Sequence, residues 1–260
     1  MRPMSFKERE IFAGITIPKE YDFAAVRCDG RGFHRLAEEL GLARPHDERF
    51  ARVMVEAAAT VVRGSGLNIA LAFVFSDEAN FIIRRPFPFG GRVEKLDSLI
   101  ASSLSSAFSL LMRSRLGHEI PAAFDARVVP LTRAEVAEYL AWRQAEAWRN
   151  FLNAVAYNLL LADGLAPSEA ARRLRGLKAK ELIELMRSHG VRPEGLPAWR
   201  KRGVLLRYEL VRREGFDPIR RRRVVTVRRY LVVDWEPPRF DTPEGRRLID
   251  EAIGAALARI

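Results

Sequence analysis

Two apolar runs separated by three polar residues constrain the fold of this chain most. Residues 69–75 and 79–83 are rich in aromatic and aliphatic side chains, and Ser76, Asp77 and Glu78 lie between them. Two strand-like runs around a short polar centre predict a β-hairpin. The acidic residues would lie at or near its tip.

Segments on either side of the hairpin alternate between strand and helix patterns. The predicted elements are a strand over 23–28, helices over 33–40, 48–62 and 92–116, and a strand over 124–130. Asp47 is placed to cap the helix that begins near residue 48. With the hairpin, this order predicts an α+β fold, a ferredoxin-like βαββαβ antiparallel sheet with helices on one face.

The second half of the chain is predicted to be helical with one basic hairpin. Thr132 and Glu135 form a capping-box pattern before a helical stretch that runs to residue 162. Further helices are predicted from 167 and over 180–188, two basic strands over 203–213 and 222–233, and a last helix over 243–259. We expect this half to pack on the first as an appendage.

Charge and cysteine content narrow the class of protein. The 44 basic residues exceed the 33 acidic residues to give a net charge of +11, which indicates a polyanionic partner such as nucleic acid. Cys28 is the one cysteine, so an intramolecular disulfide and a cysteine-based zinc cluster are excluded. The sequence pattern leads us to expect neither a membrane-spanning segment nor a secretory signal. A cytoplasmic location follows as an expectation.

Asp29 and Asp77 are the candidate site for a divalent metal. Asp29 ends a predicted strand and Asp77 lies at the hairpin tip, so both carboxylates could meet on one side of the sheet. Mg²⁺ prefers oxygen ligands and completes its shell with waters and phosphates. The Gly30-Arg31-Gly32 loop before a helix could add backbone donors for a triphosphate. Taken alone, Asp29-Gly30 is also typical of an ordinary turn and Asp77-Glu78 of a solvated tip.

Several motifs together resemble the tRNA-His guanylyltransferase family. They are Asp29-Gly30-Arg31-Gly32-Phe33-His34-Arg35, Arg44-Pro45-His46-Asp47, Ser76-Asp77-Glu78, Arg92 with Lys95, Phe124-Asp125 with Arg127-Val128-Val129, Trp142-Arg143-Gln144-Ala145, and Arg200-Lys201 before Gly203. The resemblance extends from about residue 6 to residue 213. It implies a polymerase-type palm over 1–135, followed by a helical and basic β-hairpin region for RNA binding and assembly over 136–260.

The resemblance also implies an activity and a set of residue roles. Asp29, Asp77 and the carbonyl of Gly30 would hold two or more Mg²⁺ ions, and Glu78 would support these catalytic carboxylates. Arg44 and Asp47 would lie near the incoming base, and Arg92 and Lys95 would serve the activation of the RNA. The nucleotide-binding residues implied are Gly30, Arg31, Gly32, Phe33, His34, Arg44, Asp47, Ser76, Arg92 and Lys95.

The implied reaction adds GMP, or another templated nucleotide, to the 5′ end of tRNA after activation by ATP or GTP. The enzyme would be a homotetramer, a dimer of dimers with tRNA bridging subunits. The implied tRNA contacts are Arg127, Arg143, Arg149, Asn150, Lys180, Arg200, Lys201 and Arg202. Trp148 replaces the histidine of the eukaryotic motif, as in the archaeal and bacterial-type branch, whose members prefer Watson–Crick-templated addition.

Other interpretations stay open at this point. A nucleotide cyclase-like palm would share the two aspartates, and a non-catalytic RNA-binding module would use Asp29 and Asp77 only as turn residues. The run Arg220–Arg223, continued by Arg228 and Arg229, indicates either an RNA-facing strand edge or a solvated turn.

Overall fold

A computed structural model describes residues 6–43, 45–217 and 221–258. The first half forms the predicted sheet. Its strands are β1 (Phe23–Gly30), β2 (Ile69–Phe75), β3 (Glu78–Arg84) and β4 (Phe124–Leu131), in the antiparallel order β4-β1-β3-β2. This order is that of a ferredoxin-like fold, as the sequence predicts.

Three helices accompany these strands. They are α1 (Phe33–Glu39), α2 (Glu48–Gly64) and α3 (Val93–Leu111). Asp47 caps α2 as predicted, because its carboxylate accepts from the backbone N–H groups of Arg49 at 2.8 Å and Phe50 at 3.4 Å. Helices α2 and α3 cover one face of the sheet, where Ala24, Val26 and Cys28 of β1 point.

The second half adds five helices and a hairpin within the described residues. They are α4 (Glu135–Ala162), α5 (Pro167–Leu174), α6 (Ala179–Ser188), α7 (Ala198–Arg202), β5 (Val204–Asp217), β6 (Arg222–Asp234) and α8 (Pro243–Leu257). The predicted elements are all present, and the short helix α7 was not predicted. In the capping-box pattern, Glu135 accepts from the backbone N–H of Thr132 at 2.7 Å.

The hairpin β5-β6 extends the sheet instead of standing apart from it. Leu71 of β2 is paired with Arg207 of β5, and Val74 with Val204, which gives one six-stranded sheet. The division of the chain at residue 135 stays a prediction, and the sheet continues across it.

Helices α4 and α8 cover part of the second face. Their side chains pack there with Phe23 and Ala25 of β1 and with Leu71 of β2. The expectation of helices on one face is confirmed for the helices between the first four strands, α1, α2 and α3, and the second face is covered by helices of the second half. Farther along α4, a separate small core joins it to α5 and α6. No described helix combines the length and the apolar character that crossing a bilayer requires.

Candidate active site

The backbone brings Asp29 and Asp77 to the same end of the sheet. Asp29 is paired directly with Glu78 of β3, and Asp77 precedes Glu78 in the chain. The backbone N–H of Gly30 donates to the carbonyl of Asp77 at 3.1 Å. Ser76 and Asp77 form the two-residue turn between β2 and β3, and Ser76 has a left-handed φ of 50°. The two aspartates are therefore neighbours in space.

Burial and negative charge raise the pKa of Asp77 to about 6. Loss of hydration is the largest cause, and the charges of Asp29 and Glu78 add to it. No described cationic side chain is ion-paired with Asp29 or Asp77. A cation between the two carboxylates would relieve their repulsion.

The donor set fits Mg²⁺ bound together with a substrate. Within the described ranges, no group of three or more His, Cys, Asp or Glu side chains could hold a metal alone. Mg²⁺ is commonly bound by one or two carboxylates, with waters and substrate phosphates completing the octahedron. Asp29, Asp77 and the carbonyl of Gly30 match that pattern.

Glu78 has a different environment from the one predicted for it. It is buried and forms a two-point ion pair with Arg143 of α4, at 2.9 Å and 2.7 Å. Asn80 donates to the same carboxylate at 2.8 Å, and Tyr139 donates to Asn80 at 2.6 Å. Glu78 therefore links the end of the hairpin that carries Asp77 to α4, with its charge compensated inside the protein.

The loop after Asp29 depends on glycine. A Cβ on Gly30 would overlap the ring of Phe33, and Gly32 has a left-handed φ of 73°. Phe33, predicted to line the triphosphate, packs its ring in the core against Phe108 and Phe124 and also borders the cavity beside Asp77. The backbone N–H of Gly30 donates to the carbonyl oxygen of Asp77, and that of Arg31 donates to the carbonyl oxygen of Ala123.

A cavity of about 530 Å³ opens beside Asp77. Ligand pockets commonly have this volume. Apolar side chains of α2 and β2, including Phe50 and Phe75, form its floor. Its polar lining includes Ser76, Asp77, Asn150, Asn153, Asn158 and Arg200.

His46 and Asp47 also line this cavity. His46 is stacked on Phe151 at 5.8 Å, and burial, followed by the charge of Arg200, lowers its pKa to about 4. It is therefore neutral at pH 7. The Asp47 carboxylate caps α2 and also accepts a hydrogen bond from the guanidinium of Arg49 at 2.7 Å. The hydrogen bond from Arg49 is the main reason that the pKa of Asp47 is lowered.

Two predicted nucleotide residues fall outside what the structure describes. Arg44 lies outside the described residues, and the same holds for the side chain of His34. Sequence reasoning missed the part of α4 that lines the cavity, Asn153 and Asn158. The signal was their spacing from Asn150, since residues three and eight positions along a helix lie on the same side of it.

Arg92 and Lys95 lie at the other end of the sheet. Strand β3 leads away from Asp77 over seven residues, about 20 Å, before the chain reaches α3. Arg92 precedes the first residue of α3, and its guanidinium is 3.4 Å from Glu94. The structure does not bring these two residues to Asp29 and Asp77 within one chain.

The predicted RNA contacts differ in exposure. Arg127, Arg149, Asn150 and Lys180 are exposed, although Arg149 is paired with Glu146. Arg200 stacks on Trp199 at 5.2 Å, and Arg202 is half-buried. Arg143 differs most, because its guanidinium is buried against Glu78 and cannot meet a phosphate at the surface.

Lys201 and the arginine run complete this set. The Lys201 ammonium donates to the carbonyl oxygens of Pro193 at 2.8 Å and Glu194 at 3.2 Å, so it stabilises the local chain. Arg221, Arg222 and Arg223 are exposed, the last two on the edge strand β6, and Arg220 lies outside the described residues.

The antiparallel β4-β1-β3-β2 core, with two adjacent aspartates at one end and a nucleotide-sized cavity beside them, is that of a palm domain. Residues 7–132 match the family profile described as tRNAHis guanylyltransferase. The chain is 32% identical to the tRNA(His) guanylyltransferase of Eremothecium gossypii over 199 residues, 73% of this chain and 83% of that protein. The chain belongs to the tRNAHis guanylyltransferase family.

Two further comparisons set the extent of the likeness. A mouse protein named probable tRNA(His) guanylyltransferase is 34% identical over 63% of this chain. The match spans only 57% of the mouse protein's length. A bacterial tRNA(His) guanylyltransferase-like protein, solved in complex with ATP, has the same fold. Its TM-score is 0.72 at 24% identity, over 95% of this chain and 96% of that one.

Proposed function

We propose that this protein is a magnesium-dependent nucleotidyltransferase that adds a nucleotide, notably GMP, to the 5′ end of tRNA. One observation carries the proposal: Asp29 and Asp77 are adjacent, and Asp77 lines a cavity large enough for a nucleotide. Membership of the family supports the choice of tRNA-His as a substrate. The basic surface agrees with an RNA partner.

In the proposed reaction, the 5′ phosphate of the RNA first attacks the α-phosphorus of ATP or GTP and displaces pyrophosphate, or the RNA already carries a 5′-triphosphate. The 3′-hydroxyl of the incoming nucleotide then attacks the activated 5′ phosphorus. A new P–O bond forms, the bond to the activating nucleotide or to pyrophosphate breaks, and the hydroxyl proton is released. Such phosphoryl transfer depends mainly on positioning and on charge neutralisation.

Asp29, Asp77 and the Gly30 carbonyl would hold two or more Mg²⁺ ions in this proposal. Bound Mg²⁺ would neutralise phosphate charge and lower the pKa of the attacking hydroxyl. For this reaction, the protein must keep the carboxylates of Asp29 and Asp77 ionised and next to each other. Arg143 supports that task because it compensates the charge of Glu78, the third carboxylate at this end of the sheet.

The cavity beside Asp77 would take the base and the ribose of the incoming nucleotide. Its apolar floor suits the faces of a purine, and neutral His46 adds no charge to it. Asn150 and Asn153 lie on the rim and can exchange hydrogen bonds with the base. The backbone of Gly32 would lie along the triphosphate.

Trp148 supports assignment to the branch that favours templated addition. It stands where the eukaryotic motif begins with histidine, and its ring is stacked on Phe151 at 5.5 Å. Its indole N–H can donate one hydrogen bond, but unlike a histidine ring it offers no acceptor nitrogen. We expect guanine to be added opposite cytosine, or truncated tRNAs to be repaired by base pairing.

The remaining parts of the proposal concern assembly. Residues 1–135 would act as the catalytic palm and residues 136–260 as the RNA-binding and assembly region, in a cytoplasmic homotetramer arranged as a dimer of dimers. Arg127, Arg149 and Lys180 are the exposed cations proposed to contact tRNA phosphates.

The proposal is tested by incubating the protein with Mg²⁺, ATP, labelled GTP and a tRNA-His transcript that lacks its extra 5′ nucleotide. We expect incorporation of label into the RNA, and a matched transcript with a changed discriminator base should change which nucleotide is added. Asp29→Ala and Asp77→Ala should abolish incorporation. Conversion of a nucleotide without RNA would indicate a cyclase, and binding of RNA without incorporation would indicate a non-catalytic module.

A further inference from the structure

Trp142 is an exposed tryptophan beside the catalytic carboxylates. It is 53% exposed, whereas Trp148, Trp199 and Trp235 are half-buried. Single exposed apolar side chains are common on protein surfaces, so the neighbours of this ring decide what it can bind. None of the roles derived above uses this side chain.

The ring is held in place on its inner side. The guanidinium of Arg143 lies 4.4 Å from the Trp142 ring centroid, and the ring of Tyr139 meets its edge at 5.8 Å. Arg143 is itself fixed by Glu78, and Tyr139 by Asn80. A ring supported in this way loses little conformational freedom when a ligand stacks on its outer side.

Trp142 projects from the flank of α4 that faces away from α8. The opposite flank carries Gln144, which accepts from the N–H of Phe240 just before α8. Trp142 lies about 160° around the helix from Gln144. Since α8 packs over β5 and β2, Trp142 lies on the side of β1 and β4.

The sheet under that flank carries the catalytic Asp29 and two arginines. Arg27 and Asp29 point to this face because they alternate with Ala24, Val26 and Cys28, which face α2 and α3. Arg127 of β4 is paired directly with Arg27, and its 54% exposed side chain lies 3.5 Å from Asp125 of the same strand. Two guanidinium groups, one of them in an ion pair, therefore lie on this face beside the end of the sheet that carries Asp29.

The nucleotide cavity lies in the other direction along α4. Residues of α4 from Ala147 onward line the cavity, whereas Trp142 precedes Arg143 and its contact with Glu78. Asp77, which lines the cavity, and its neighbour Asp29 therefore lie on the side of the cavity that faces Trp142. A nucleotide in the cavity and a ligand at Trp142 would therefore both lie next to these carboxylates, as a transfer between the two ligands requires.

We propose that Trp142 is a stacking platform for the 5′-terminal nucleobase of the acceptor RNA, with Arg27 and Arg127 facing the adjoining phosphates. The inference rests on the proposed function, since it names the place of the RNA end at the same site. Aromatic side chains bind bases through their π faces, and arginines contact phosphates. The Trp142 ring has the Arg143 guanidinium on its inner side and two arginines on the sheet nearby. This arrangement suits a nucleobase that is followed by phosphates.

The test measures equilibrium affinity for an acceptor-stem RNA hairpin that carries a 5′-monophosphate. A matched hairpin lacks only the base of its 5′-terminal nucleotide. We expect Trp142→Ala to weaken binding of the intact hairpin roughly tenfold and Trp142→Phe to retain most of it. Wild type should bind the abasic hairpin roughly tenfold more weakly, and Trp142→Ala should cause no further loss on that RNA.

Leu110→Ala is the matched control, because Leu110 is 64% exposed on α3, which covers the other face of the sheet. It should leave RNA affinity unchanged. Affinity for GTP and the molar mass in solution should be the same for all variants. An equal loss on the intact and abasic hairpins, or no loss, would overturn the proposal, as would a changed molar mass, which would place Trp142 between copies of the chain.

Nucleotide addition by the wild-type protein, measured in the same preparation, separates this inference from the proposed function. If wild type adds nucleotides while Trp142→Ala binds both hairpins like wild type, the stacking platform is wrong and the activity stands. If wild type adds none while the base-dependent loss is present, the platform stands and the activity is wrong.

Discussion

Arg143 donates to both carboxylate oxygens of Glu78, from Nε to Oε1 at 2.9 Å and from Nη2 to Oε2 at 2.7 Å. Both side chains are buried, and the pair joins the first residue of β3 to α4. Of the carboxylates at this end of the sheet, Glu78 is therefore compensated by the protein, whereas Asp29 and Asp77 are left for a ligand.

Removal of one partner should cost more than removal of both. Arg143→Met leaves the Glu78 carboxylate buried without a cation, and the expected loss of unfolding free energy is about 3–5 kcal/mol. The double variant Glu78→Gln with Arg143→Met should recover part of that loss. Urea unfolding of the two single variants and the double variant measures the coupling.

The exposed pair Arg52 and Glu48 is the control for this experiment. Its nitrogen and oxygen are 2.6 Å apart, with both side chains at least half exposed. Arg52→Met should change stability by about 1 kcal/mol or less, since solvent screens such pairs. If the loss of unfolding free energy in the Glu78 and Arg143 double variant equals the sum of the two single losses, the buried ion pair contributes no coupling.

Asp77→Asn should stabilise the metal-free protein at high pH while abolishing transfer. The pKa of Asp77 is raised to about 6 from an ordinary 3.8, so the folded state holds this proton more tightly than the unfolded state. The resulting destabilisation is complete above about pH 6 and disappears as pH falls towards 4. Melting with EDTA at pH 8 and pH 4 should show a gain of a few degrees at pH 8 alone.

Added Mg²⁺ provides the control for the Asp77 prediction. It should raise the melting temperature of wild type at pH 8, because a ligand that binds the folded state stabilises it. Asp77→Asn should respond less. An equal gain from this substitution at both pH values would show that the Asp77 charge is not destabilising in the folded protein.

Sequence patterns predicted strands β1, β2 and β3 well because their signals are local. The hairpin 69–83 and the capping of α2 by Asp47 depend on side-chain periodicity and on one short-range contact. The conjunction of Asp29 and Asp77 followed because the first strand and the hairpin end at the same edge.

Long-range partners were not predictable in the same way. Nothing near Arg143 in the chain indicates that its guanidinium is paired with Glu78, 65 residues away. An arginine in a basic chain was therefore predicted as an RNA contact. The pairing of β5 with β2 likewise joins distant segments, and strand patterns alone do not specify which edge a hairpin extends.

Arg127 and Lys201 should separate RNA contacts from structural cations. Arg127→Gln should lower RNA affinity and reduce the slope of log affinity against log salt by about 1, with little change in stability. Lys201→Gln should leave that slope unchanged and lower the melting temperature, because its ammonium donates to two backbone carbonyl oxygens. Binding over a salt series and thermal melting distinguish the two. Equal slopes for wild type and Arg127→Gln would remove Arg127 from the RNA interface.

Gly30→Ala should damage the site through Phe33. The new methyl group would overlap a ring that is packed against Phe108 and Phe124, so either the ring or the loop must move. Overpacking of this kind costs about 1–3 kcal/mol, and displacement of Asp29 should reduce transfer at least tenfold. Gly64→Ala is the control, since a Cβ on Gly64 meets open space in α2 and should be neutral or slightly stabilising. Wild-type activity in Gly30→Ala would show that the Asp29 loop tolerates a shift of the ring.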